Sequence, residues 1–267
     1  MRLMGIVNVT PDSFSDGGLF LAPERAIAHG FELAEAGADI LDVGGESTRP
    51  GAEAVDAEHE LERVGPVVAA LAGAGGPGAE VSIDTSKAPV AQAMLDLGAT
   101  IVNDVTALSG DPELAAVCAE RRCIVILMHM QGTPRTMQES PTYDDVVDDV
   151  RAFLAERIET AVDAGVDEDR IWIDPGIGFG KTVEHNLELL RRLGELRSLG
   201  RPIVVGSSRK SFIGALTGRD VDQRLGGTVA SNVLALAAGA EVFRVHDVRE
   251  VGRALTVAAA IVARPVR

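Results

Sequence analysis

The chain has 267 residues, of which 46% are hydrophobic and 24% charged, a length near that of one (β/α)8 barrel and a balance ordinary for a soluble globular protein. Its net charge of −15 argues against nonspecific binding to nucleic acid or to an anionic membrane, both of which need a basic surface, and no apolar run reaches the ~18 residues of a membrane-spanning helix. Cys118 and Cys123 are the two cysteines, which fit neither a disulfide framework nor a metal array and read as free thiols in a reducing cytoplasm.

Aromatics make up 3%, so Val, Ile, Leu and Ala must build the core, as in a parallel sheet covered on both faces. The first aliphatic run, Leu3–Val9, starts almost at once, too early and too soon polar for a signal peptide. It leads into Asn8-Val9-Thr10-Pro11-Asp12-Ser13-Phe14-Ser15-Asp16-Gly17-Gly18. Pro23 then opens a helix, Ala26, Phe31, Leu33 and Ala34 recur at helical spacing, and Gly37 closes it. The second run, Ile40–Val43, ends in Asp42-Val43-Gly44-Gly45-Glu46-Ser47-Thr48-Arg49-Pro50-Gly51. After a surface connection at Ala72–Ala79, Val81–Ile83 ends in Asp84-Thr85-Ser86-Lys87, and Thr100–Val102 ends in Asn103-Asp104. Ile124–Met128 is followed by His129-Met130, and a helix closing at Gly165 precedes Ile171–Ile173, which ends in Asp174-Pro175-Gly176-Ile177-Gly178-Phe179-Gly180-Lys181. Pro202–Val205 leads into Gly206-Ser207-Ser208-Arg209-Lys210-Ser211 and a short helix, Phe212–Thr217. A further helix closes at Gly239, and the last run, Val242–Val245, carries Arg244 and ends in His246-Asp247. Strands alternating with helix-length segments predict an α/β fold, a single-domain TIM (β/α)8 barrel over 1–267. The segments 10–22, 44–57 and 129–142 are long for such connections and read as functional loops.

In a barrel the C-terminal ends of all strands meet at one mouth, where active sites are built. The polar clusters above would therefore converge. Arg49, Arg209, Lys210, Arg244 and His246 would surround the mouth with cations suited to a phosphate. Asp84, Asn103 and Asp174 follow buried strands and suit a flat heterocycle with neighbouring N–H donors and a carbonyl. Met128 and Phe179 would supply apolar contact to its ring. Ser211, at the start of the short helix, would receive a small carboxylate. No zinc motif, no dinucleotide fingerprint and no Ser/His/Asp grouping is present.

The segments Asn8–Gly18, Gly44–Gly51, Asp174–Lys181 and Ser208-Arg209-Lys210-Ser211, with the spacing to Arg244-Val245-His246, resemble the dihydropteroate synthase family over essentially the whole chain. That resemblance implies condensation of 6-hydroxymethyl-7,8-dihydropterin diphosphate with p-aminobenzoate, with pyrophosphate released and Mg²⁺ used. It implies that Asp84, Asn103, Asp174 and Lys210 hold the pterin, with Met128, Gly206 and Phe179 around it. Asn8, Arg244 and His246 would bind the diphosphate, Asn8 also touching Mg²⁺. Thr48 and Arg49 would belong to a mobile loop, and Phe14, Pro50, Lys210 and Ser211 would frame p-aminobenzoate. Arg49, Lys210, Arg244 and His246 would carry the catalysis. A cytoplasmic homodimer is implied as well. A corrinoid-dependent pterin methyltransferase and a noncatalytic pterin-binding paralogue stay open as other readings. Nothing in the sequence names what seals the bottom of the barrel.

Overall fold

The computed structural model describes residues 1–9, 22–48, 52, 54–133 and 135–262. Eight parallel strands run in the order β6-β5-β4-β3-β2-β1-β8-β7: β1 Arg2–Asn8, β2 Ile40–Gly44, β3 Glu80–Asp84, β4 Ile101–Asp104, β5 Ile124–Met128, β6 Ile171–Asp174, β7 Val204–Val205 and β8 Val242–Val245. A bridge between Ile173 and Ile203 joins the two ends of the sheet and closes the barrel. The seventh strand is shorter than its aliphatic run because Pro202 has no N–H to give to a ladder. Its carbonyl still accepts from Ile173 N at 3.0 Å.

The helices α1 Ala22–Glu35, α2 Ala57–Ala72, α3 Ala88–Asp96, α4 Leu114–Arg121, α5 Val146–Asp163, α6 Val183–Arg191, α7 Ser211–Thr217, α8 Leu225–Ala238 and α9 Val248–Val262 surround the sheet. The predicted closing glycines Gly37, Gly165 and Gly239 all have positive φ, as helix-ending glycines do. The predicted free thiols Cys118 and Cys123 are buried and unlinked.

Alternation along each strand divides the residues into two sets. Leu41, Val43, Val81, Ile83, Val102, Val125, Leu127, Ile173, Phe243 and Val245 face outward into one large cluster with the helices. Met4, Ile40, Ile101, Ile126, Trp172, Val204 and Val242 face inward as a separate apolar layer. Each fully buried aliphatic side chain contributes about 1.5–3 kcal/mol, so both sets resist any one-residue slip in register. Below the inner layer, the Arg2 guanidinium lies 5.5 Å from the centre of the Trp172 ring and bonds Glu80 at 2.8 Å. The barrel's lower end is thus sealed by its own side chains.

Candidate active site

Counting two residues onward from the inner apolar layer gives the floor of the mouth. Met4 leads to Ile6 and Asn8, Ile40 to Asp42, Ile101 to Asn103, Ile126 to Met128, Trp172 to Asp174, Val204 to Gly206, and Val242 to Arg244 and His246. Register sets Asp84 beside both Gly44 and Asn103. A single alternation therefore aims the apolar plug downward and the polar groups upward. Asn103, Met128 and Asp174 are buried, while Asn8, Thr48, Asp84, Phe179, Lys210, Arg244 and His246 are half-buried and Ser211 is exposed. Phe14, Arg49 and Pro50 lie outside the described residues.

At the centre, Arg244 Nε donates to Asp42 Oδ2 at 2.6 Å and Nη2 to Asp84 Oδ2 at 2.7 Å. Asn103 Nδ2 donates to the same Asp42 oxygen at 3.1 Å. Asp42, fully buried, heads the polar cluster that ends the second run, but sequence reasoning gave it no role in the site. Burial pushes the Asp84 carboxyl up to about 7 against the pull of Arg244, with Asp42 adding to the rise. Burial also opposes the Arg244 charge, but Asp42 and Asp84 outweigh it and raise the guanidinium further.

Across the mouth, Asp174 Oδ1 accepts from Gly176 N at 2.7 Å. Burial raises this carboxyl, while Lys210 nearby favours its charged form. The Lys210 ammonium donates to the Ile177 carbonyl and stands 4.3 Å from the centre of the Phe179 ring. Burial brings it down to about 7, with Asp174 opposing and Arg244 adding. Ser208 Oγ meets His246 Nδ1 at 3.0 Å and accepts from His246 N at 3.2 Å. Ser208 thus positions the imidazole, a role not assigned from sequence.

Two residues of the strand-end clusters stand elsewhere. Arg209, placed by its position after β7 among the mouth cations, spends its guanidinium on Asp247 through two contacts. Asp104 is turned outward by the strand alternation and caps the following turn through Thr106 and Leu108.

The second loop is fastened at its root. Lys87 bonds both Glu46 and Glu60, Glu46 Oε1 accepts from Val55 N, and Arg63 reaches the Gly45 carbonyl. Burial works against the Lys87 charge, but the two carboxylates hold its pKa above the usual value.

The family model for "Pterin binding enzyme" matches residues 4–246. The dihydropteroate synthase of Escherichia coli strain K12 is 47% identical over 258 residues, covering 96% of this chain and 90% of that one. The Synechocystis enzyme is 45% identical, covering 97% and 89%. Among solved structures, the Xanthomonas albilineans dihydropteroate synthase with 4-aminobenzoic acid is 51% identical with a TM-score of 0.92, covering 99% of this chain and 94% of that one. The Yersinia pestis enzyme in complex with a sulfonamide drug is 44% identical with a TM-score of 0.93, covering 98% and 94%.

Proposed function

The chain belongs to the dihydropteroate synthase family, and from that premise we propose how its own residues join 6-hydroxymethyl-7,8-dihydropterin diphosphate to p-aminobenzoate. One observation carries the assignment of roles. Asp84 Oδ1, Asn103 Oδ1 and Asp174 Oδ2 make no hydrogen bond to any described residue, while their partner atoms are held by Arg244, Asp42 and Gly176. Three fixed oxygens around one mouth suit the ring and exocyclic N–H groups of a pterin. Lys210 supplies a donor to the ring's acceptor atoms, and Met128, Gly206 and Phe179 line its faces.

His246 and the outward side of Arg244 face the diphosphate. Arg244 Nη1 makes no bond to a described residue, so the guanidinium can meet an anion while it stays anchored below. As the methylene–oxygen bond breaks, the dihydropterin disperses the positive charge and these donors stabilise the departing pyrophosphate. The aromatic amine attacks in its neutral form and needs no strong base. Lys210 and Ser211 frame it, while family resemblance assigns Phe14 and Pro50 to the same substrate and Thr48 and Arg49 to a loop that contributes to the substrate complex.

The residues fit a Mg²⁺ ion that arrives on the diphosphate. Asn8 offers one hard amide oxygen, and the described residues assemble no group of three or more His, Cys, Asp or Glu for a dedicated cage. Mg²⁺ commonly takes few protein ligands beside substrate phosphates and water. When bound it would offset charge on the leaving group.

The deciding experiment is pyrophosphate release with pterin diphosphate, Mg²⁺ and p-aminobenzoate, each omitted in turn. Release coupled to dihydropteroate, and inhibited competitively with p-aminobenzoate by a sulfonamide, is the expected result. Pterin binding without pyrophosphate would favour a noncatalytic paralogue instead.

A cytoplasmic homodimer completes the proposal. The described residues include no helix long and apolar enough to cross a membrane. Leu234 on α8 and Val257 and Ile261 on α9 are exposed on helices that pack together, an apolar face suited to a two-fold interface. Leu234→Glu with Ile261→Glu should convert the dimer to a monomer in light scattering. An unchanged mass would place the interface elsewhere.

A further inference from the structure

The turn after β6 holds a lysine that the proposed reaction does not use. Lys181 is 3% exposed, and its ammonium has no carboxylate within ion-pair distance among the described residues. It faces His129 Nδ1 at 2.9 Å, the Phe179 carbonyl at 3.0 Å and the His129 carbonyl at 3.4 Å. An ammonium has three N–H donors and no acceptor, so every donor has an acceptor and none remains for a ligand. With Nδ1 accepting, the ring proton sits on Nε2. Burial, assisted by the Lys181 charge, holds His129 down at about 3, which keeps the imidazole neutral. Burial also pulls Lys181 well below the lysine range, with Asp174 opposing and Lys210 adding.

These contacts join two parts of the mouth. His129 directly follows the fifth strand, and Phe179 stands in the turn after the sixth. Gly176, at φ +67°, backs onto the His129 carbonyl so closely that a Cβ would stand 1.8 Å from it. Tyr143 Oη donates to the Gly180 carbonyl at 2.7 Å, and Gln138 Nε2 to the Gly178 carbonyl at 2.7 Å. The opposite side of the turn presents the Ile177 carbonyl and the Phe179 ring to Lys210. A buried cation is costly unless fully bonded; here two bonds tie the turn to His129 at the end of β5 and the third holds the Phe179 carbonyl within the turn.

We propose that Lys181 is a positioning residue for the pterin end of the site, fixing Phe179 and through it Lys210 by fastening turn 175–180 to the end of β5. The inference rests on the synthase reading. Small displacements of binding groups carry large losses, so a bolt one layer below the ligand is felt at the ligand.

Lys181→Met keeps the stem and removes all three donors. It should raise both the KM for pterin diphosphate and the calorimetric Kd for a bare pterin about tenfold, with a smaller rise in the KM for p-aminobenzoate, which Lys210 also frames. Combined with Phe179→Ala, it should add little beyond Phe179→Ala alone, since the two act in series. A fall in Tm with the pterin constants unchanged overturns the proposal, as do equal losses on both substrates or losses that multiply in the double variant. If Lys181→Met does not fold, Tyr143→Phe removes a second fastening of the same turn. That variant should give a smaller rise in pterin KM, and no rise overturns the proposal. Calorimetry on the wild-type protein separates the two readings: pterin binding without turnover would sink the synthase assignment and leave the positioning test intact.

Discussion

Arg244→Ala is expected to abolish dihydropteroate formation and to lower folding stability by about 3–5 kcal/mol, the cost of leaving a buried charge without its partner. The stability loss follows from geometry below the ligand. Arg244 is the cation bonded to both Asp42, which is fully buried, and Asp84. Without it two carboxylates share a nearly dry mouth. Arg244→Lys should not rescue, because an ammonium cannot reproduce the fork that meets Asp42 and Asp84 at once. The effect also has a sign in pH. Asp84 already lies at about 7, driven up by burial and held back by Arg244, so the variant pushes it higher. A carboxylate whose folded pKa exceeds its unfolded value contributes fully below the unfolded value, and that contribution is lost as pH climbs through the folded one. The deficit of the variant relative to wild type should therefore be larger near pH 8 than near pH 5. Denaturant unfolding at both pH values checks this. A deficit under about 1 kcal/mol, the range of exposed ion pairs, would mean that the triad is solvated rather than buried.

The same triad shows what the sequence makes legible. Strand positions are readable because each strand is buried on both faces, so its aliphatic run stands out against the amphipathic helices. Asp84, Asn103, Asp174, Lys210 and Arg244 are readable as mouth residues because a barrel gathers strand ends. Asp42 stands in the polar end of its run and yet drew no role, because only the alternation from Ile40 marks it as inward and only the closed barrel sets it against Arg244. Arg209 and Lys210 are adjacent and equally basic in sequence. What separates them is Arg209's positive φ of 58° and its bidentate pairing with Asp247, neither of which has a local signature. Lys181 and His129 are 52 positions apart, and the Arg2–Trp172 seal joins residues at least as distant. Contacts of that kind exist only once the barrel has closed. Phe14 and Pro50 are assigned through family resemblance alone and Arg49 also as a strand-end cation, all three outside the described residues.

Capture of the pterin diphosphate should weaken as pH rises through about 7, and Lys210→Met should lose both affinity and this pH dependence. Burial depresses the Lys210 ammonium to about 7, Asp174 resisting and Arg244 assisting, so the free enzyme sheds a mouth cation between roughly pH 6 and 8. An anionic substrate restores the partner that burial withholds, which raises the lysine pKa in the complex. The alkaline fall should therefore appear in kcat/KM, which reports the free enzyme, and be displaced to higher pH in kcat. A hydrogen bond to a charged group contributes about 1.5–3 kcal/mol, so Lys210→Met should lower kcat/KM about 10- to 100-fold at pH 6 and less at pH 9, where the wild-type lysine is already neutral. The substrate's own phosphate ionisation contributes to both profiles and cancels in their ratio, which makes that ratio the quantity to measure. If it stays constant from pH 6 to 9, Lys210 does not titrate in this range and the cation at the pterin site is permanent. If it falls toward alkaline pH, the burial that shapes the pocket also sets the pH window in which the pocket binds.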